Sequence, residues 1–153
     1  MEINEKYRKI QEKFGLPHIQ KLKETFNIEI KNDEKLFENI RNEISDRIFN
    51  LTEKILEPLI GQPESFCCFF EQDMLSNNER MKLFEIYKKI QVLKWENNLL
   101  LLHPNEKKTI EWIKKTWSFW NNELEFELTN LCKKLSIGWN NLKFSTERTY
   151  YHG

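Results

Sequence analysis

The sequence contains no alanine and a single valine, Val92. Close packing of helices through small residues is thereby excluded. Contacts must be made by Leu, Ile, Phe and Trp, which sets helix axes toward the upper end of the usual separation of roughly 8–10 Å. The abundance of Asn, Lys, Ile, Leu and Phe is the bias expected of an AT-rich genome. Glycine and proline are also scarce, four of each. They fall at Gly15, Pro17, Pro58, Gly61, Pro63, Pro104, Gly138 and Gly153, so long elements run between them. Net charge is absent, 24 basic residues balancing 24 acidic ones. That balance weighs against a nucleic-acid backbone or an anionic membrane as the main partner. No apolar run approaches the roughly 20 residues of a membrane span. Residues 1–14 form a charged amphipathic stretch rather than a signal sequence, so no membrane association and a cytoplasmic location are expected. Three cysteines, Cys67, Cys68 and Cys132, lack metal-ligand spacing, and adjacent cysteines close only a strained ring; reduced thiols are expected.

What is present reads as helix throughout. Ile3, Tyr7, Ile10 and Phe14 recur at helical spacing, with Asn4 as N-cap, up to Gly15. Pro17 opens a second short helix with Ile19, Leu22 and Phe26 on one face, and Ile28 and Ile30 follow in an extended connector. Asn32–Asp33 caps a long helix over 33–61 in which Phe37, Ile40, Ile44, Ile48, Leu51, Ile55 and Leu59 form one stripe, with Pro58 placed to kink the last turn. Residues 62–78 are irregular; Ser65 is suited to cap a turn or two, and the aromatics at 66–70 are expected to plug the core. Asn77 or Asn78 caps a second long helix, 79–102, with Leu83, Ile86, Tyr87, Ile90, Leu93 and Leu100 inward. The tight turn His103-Pro104-Asn105 makes the next helix its antiparallel neighbour. That helix, 106–142, carries Ile110, Ile113, Trp117, Trp120, Leu124, Leu128, Leu131 and Leu135 as a coiled-coil-like seam, with Gly138 placed to bend it and 143–153 as a polar tail. The expected fold is all-α: one domain, 1–153, built as an antiparallel bundle of three long helices with the short helices of 1–31 packed against it.

Reaction chemistry finds little support. No Glu-x-x-His pair serves a carboxylate-bridged metal, and His18, His103 and His152 are far apart in sequence, so no metal is expected. No two glycines are close enough for a phosphate-cradling loop, and no cofactor is expected. Glu53 and Glu57, one turn apart, match a proton-sharing pair but equally match a solvated helix face. Cys67 and Cys68 have no base beside them, and with Phe66, Phe69 and Phe70 around them they read as small buried hydrophobes. A ligand or enzyme site near Cys67, Cys68 and His103 is the least favoured reading. No catalytic residue is assigned, and a non-enzymatic protein is expected.

Two features of the last helix point to binding. Trp112, Phe119 and Phe126 repeat every seven residues and form a second apolar stripe about 100° from the seam. Either the N-terminal helices or the 66–70 segment cover it, or it stays open and contacts another protein or a second copy of this chain. Lys107, Lys108, Lys114 and Lys115 lie beside Trp112, a pattern that also suits phosphate contact with base stacking, although Glu106 and Glu111 dilute it. A protein-interaction or scaffolding module is thus the leading expectation, and a nucleic-acid-associated protein using those lysines the alternative.

The run Gly15-Leu16-Pro17-His18-Ile19-Gln20-Lys21-Leu22-Lys23-Glu24-Thr25-Phe26-Asn27-Ile28-Glu29, with Leu83-Phe84-Glu85-Ile86-Tyr87-Lys88-Lys89 further on, resembles a group of small uncharacterised all-helical archaeal proteins. The resemblance implies an archaeal origin and a helical fold, and it carries no activity or site residue.

Overall fold

The computed structural model describes residues 3–31 and 34–143. Among the described residues every regular element is helical, as expected. Helices α1 (Ile3–Phe14) and α2 (Ile19–Phe26) are short. Helix α3 joins Leu36–Leu51, a π-helical turn Thr52–Leu56 and a last α-turn Glu57–Ile60. Helix α4 is Phe66–Asp73 and α5 is Asn77–Leu102. Helix α6 joins Glu106–Phe119, a second π turn Trp120–Leu124 and Glu125–Asn141. The Asn32–Asp33 cap and the tail from 144 onward lie outside the described residues.

Local chemistry sets most of these boundaries. Gly15, at φ 69°, and Asn27, at φ 53°, adopt the left-handed conformation that ends α1 and α2. Tyr7 Oη donates to the Pro17 carbonyl at 2.7 Å and its ring stacks on Phe37, which pins α1 to the α2 start and to α3. Ser65 Oγ accepts from Cys68 N–H and opens α4. At α5 the cap is Ser76 rather than the expected Asn77 or Asn78. Its hydroxyl accepts from Glu79 N–H at 3.1 Å while the Glu79 carboxylate accepts from Ser76 N–H at 3.1 Å, a complete capping box. Asn105 Oδ1 accepts from Lys108 N–H at 2.9 Å and opens α6. Gly138 does not break α6. A side chain there would meet Met74 Sδ at 2.5 Å, so this glycine lets the end of α6 close on the α4–α5 corner.

The core runs along the inner faces of α3, α5 and the first half of α6. The π turn in α3 changes which residues reach it. One extra residue per turn moves everything after it by about 100°. Leu56 is therefore fully buried where Ile55 was expected; Thr52, the first residue of the turn, is buried as well and its Oγ1 donates to the Ile48 carbonyl at 2.8 Å. The turn lies just before Pro58, whose ring clashes with the carbonyl four residues back in a regular helix. Phe66 and Phe69 are exposed, and the side chain of α4 that is buried is Gln72. The expected aromatic plug is thus corrected: Gln72 Nε2 holds α4 to α3 by donating to the carbonyls of Pro58, at 2.9 Å, and Gly61, at 2.8 Å. Phe70 packs against Trp139 at the surface.

Polar groups also enter the core. Arg41 is 1% exposed. Its guanidinium donates to Thr109 Oγ1 at 3.3 Å and to Asn42 Oδ1 at 3.5 Å, while its Nε has no partner. Burial lowers its pKa from the ordinary guanidinium value, with Glu38 opposing that shift.

Candidate interaction surface

Trp112, Phe119 and Phe126 do not form one open stripe. Trp112 is 3% exposed, and its indole N–H donates to the Leu93 carbonyl of α5 at 3.0 Å. It belongs to the core and presents nothing to a partner. Phe119 is half-buried with the Lys89 ammonium 6.0 Å from its ring. Phe126 is 65% exposed. The physical reason is the second π turn, which lies between Phe119 and Phe126 and rotates the latter about 100° off the line. The cover over this side of α6 is α5, rather than the N-terminal helices or residues 66–70. The N-terminal segment instead covers the seam, where Phe26 of α2 meets Trp117 at 6.0 Å and Trp120 at 5.5 Å.

The four lysines are all exposed, but they divide between two flanks of α6. Lys107 lines a shallow cleft with Lys13 and Phe14 of α1, and the Lys114 ammonium lies over Gly15. Lys108 and Lys115 line a second open cleft, about 630 Å³, with Leu99, His103 and Trp112. Lys115 is paired with Glu96 at 2.7 Å, and Trp112, though it borders this cleft, is only 3% exposed, so its ring is too covered to stack a base.

The residues considered for chemistry are dispersed. Cys67 lies exposed on α4, before the start of α5, while His103 caps the other end of α5. Twenty-six residues at 1.5 Å rise put about 39 Å between those ends, so Cys67, Cys68 and His103 share no pocket. Cys67 is exposed and Cys68 partly so, which corrects their reading as buried hydrophobes. Glu53 and Glu57 are both exposed, and Glu57 accepts from Tyr87 Oη at 3.2 Å. Burial, then the Glu57 carboxylate, raises the Tyr87 hydroxyl pKa. Among the described residues no three His, Cys, Asp or Glu side chains converge as metal ligands would.

The surface that sequence reasoning missed is the outer face of α5. Met81, Phe84, Val92, Trp95, Leu99 and Leu102 are all exposed, Trp95 at 68% and Leu102 at 75%. With Lys88 they step by 3, 4, 4, 3, 4 and 3 residues, which at about 100° per residue confines them to a strip about 80° wide. The strip lies opposite Leu83, Ile86, Ile90, Leu93, Asn97 and Leu100, which face the core. Helix α5 is thus apolar on both sides, and its core face packs on α3 and α6.

One flank of this strip is an ion-pair ladder to α6: Lys82 to Glu127 at 2.6 Å, Lys89 to Glu123 at 2.7 Å, Glu96 to Lys115 at 2.7 Å, and Glu79 to Lys134. The pairs step forward along α5 as they step back along α6. The hydrogen bond from Lys134, aided by Ser76 N–H, holds the Glu79 carboxyl below its ordinary pKa, and Glu127 raises the Lys82 ammonium. Lys88 turns aside to Glu85 of its own helix at 3.3 Å. Charges on this flank of the strip therefore already have partners. Comparison with protein-family models, curated proteins and solved structures finds no match to this chain.

Proposed function

We propose that this chain is a non-enzymatic helical interaction module and that its contact surface is the outer face of α5. The observation that carries this reading is the exposed apolar strip from Met81 to Leu102, broken only by Lys88 and placed opposite the core face of the same helix. Exposed apolar side chains are ordinary when scattered, whereas a contiguous set rimmed by charge marks a surface that meets another macromolecule. On the flank that faces α6 the bordering charges are already paired, so a partner need not desolvate unpaired ions there.

The three long helices, 36–60, 77–102 and 106–141, are read as an antiparallel bundle alternating in direction. The short His103-Pro104-Asn105 connection and the opposed order of the α5–α6 ion pairs support that arrangement. No helix among the described residues is long and apolar enough to cross a membrane. Free thiols at exposed Cys67 and Cys132 are compatible with a reducing compartment and support a cytoplasmic site of action.

The test is crosslinking of the full chain in its native cells, comparing wild type with Trp95→Glu and Phe126→Glu. The expected result is a discrete crosslinked complex that Trp95→Glu removes and Phe126→Glu keeps. Crosslinks indifferent to Trp95→Glu contradict the assignment of the surface.

A further inference from the structure

The outer strip of α5 is spaced almost symmetrically about its own midpoint. Measured from the junction of Gln91 and Val92, Met81 and Leu102 lie equally far out, as do Phe84 and Leu99, and Lys88 and Trp95. A face with that symmetry is complementary to itself under a twofold rotation through the midpoint, which is the condition for an isologous contact. We infer that the occupant of this face is a second copy of the same chain. The two α5 helices lie antiparallel, so that Met81 meets Leu102, Phe84 meets Leu99 and Lys88 meets Trp95 across the axis. This inference rests on the reading of α5 as the contact surface and names the partner.

Charge selects both the partner and the direction. Lys88 is the one charged member of the strip. A parallel, in-register pair sets Lys88 against Lys88 and repels; the antiparallel pair carries each ammonium to the indole of Trp95, a favourable cation–π partner. Glu85, bonded to Lys88 on its own helix, is carried opposite the uncharged Asn98 and Leu99 instead of another carboxylate. The ladder to α6 has already paired Lys82, Lys89, Glu96 and Glu79.

Size agrees. The strip runs 21 residue steps from Met81 to Leu102, about 32 Å. With exposed fractions between 47% and 75%, its six apolar side chains offer on the order of 700 Å² per copy. That approaches the roughly 800 Å² per partner of a stable interface.

The experiment is light scattering coupled to size exclusion on the full chain across a wide concentration range. The expected mass is twice the 18.8 kDa of one chain. Val92→Glu, at the centre of the strip, should return it to the single-chain mass with unchanged helicity, and Phe126→Glu should leave it doubled. Direction is tested by Met81→Glu and Leu102→Lys. Each alone weakens association; combined in one chain they restore it, because only antiparallel copies bring the two opposite charges together. A chain that keeps the single-chain mass at every concentration overturns the inference, as does a double variant no better than either single one. If such a monomeric chain still loses its cellular crosslink on Trp95→Glu, the contact surface stands and the second copy is wrong. If the crosslink is also indifferent to Trp95→Glu, both readings fall.

Discussion

At the scale of single residues, Trp95 and Trp112 respond to truncation in opposite ways. Trp112 is enclosed and its N–H is bonded to the Leu93 carbonyl, so Trp112→Ala removes a large core side chain together with that hydrogen bond. A loss of about 3–5 kcal/mol in denaturant unfolding is expected. Trp95 touches mainly solvent, and Trp95→Ala should stay within about 0.5 kcal/mol of wild type while weakening self-association. Unfolding curves of the two variants at low protein concentration, where association is not linked to folding, check this contrast. Arg41 is the other informative position. A guanidinium that is 1% exposed, with an unbonded Nε and no ion pair to a described carboxylate, carries a desolvation cost that Thr109 and Asn42 offset only in part. Arg41→Met keeps the volume and removes that cost; stabilisation of about 1–4 kcal/mol is expected, measured by the same unfolding experiment. Unchanged or lower stability means the two hydrogen bonds outweigh the desolvation.

At the scale of elements, the caps make the sharpest predictions. Ser76→Ala deletes one half of the capping box of α5 and should cost about 1 kcal/mol. Glu79 joins that cap to Lys134 of α6, and its folded pKa lies below the ordinary carboxylate value. A depressed pKa means that folding favours the ionised form. The contribution is therefore present above the unfolded pKa and lost as pH falls through the folded one. Thermal unfolding of wild type and Glu79→Gln should differ near neutrality and converge as acid titrates the carboxyl; a constant difference contradicts the coupling.

The same elements explain what could be read from sequence. Ser65, Gly15 and the inward faces of α5 and α6 were legible, because caps and 3–4 spacing are local signals. The π turns were not. The sequence steps continue in threes and fours through both, so nothing in the spacing marks the extra residue that buries Leu56 or turns Phe126 outward. The outer strip of α5 was hidden for a different reason. Lys88 interrupts it and Glu85 borders it, and beside a strong inward stripe on the same helix those charges suggest an ordinary solvated face. Nor is the exposure of the aromatics of α4 a local property, since it depends on Gln72 reaching the end of α3.

At the scale of the whole molecule, a helix that is apolar on two opposite faces belongs in an interior. In one copy the inner face of α5 packs against α3 and α6 and its outer face is open. In a pair of antiparallel copies it becomes the centre of the assembly, and both faces are covered. The central claim is tested most directly by hydroxyl-radical footprinting of the purified full chain as its concentration is raised. Met81 and Trp95 should become protected together, while Phe126, exposed on α6, keeps a constant rate and serves as internal reference. Labelling of Met81 and Trp95 that is independent of concentration and parallel to that of Phe126 would contradict pairing through α5.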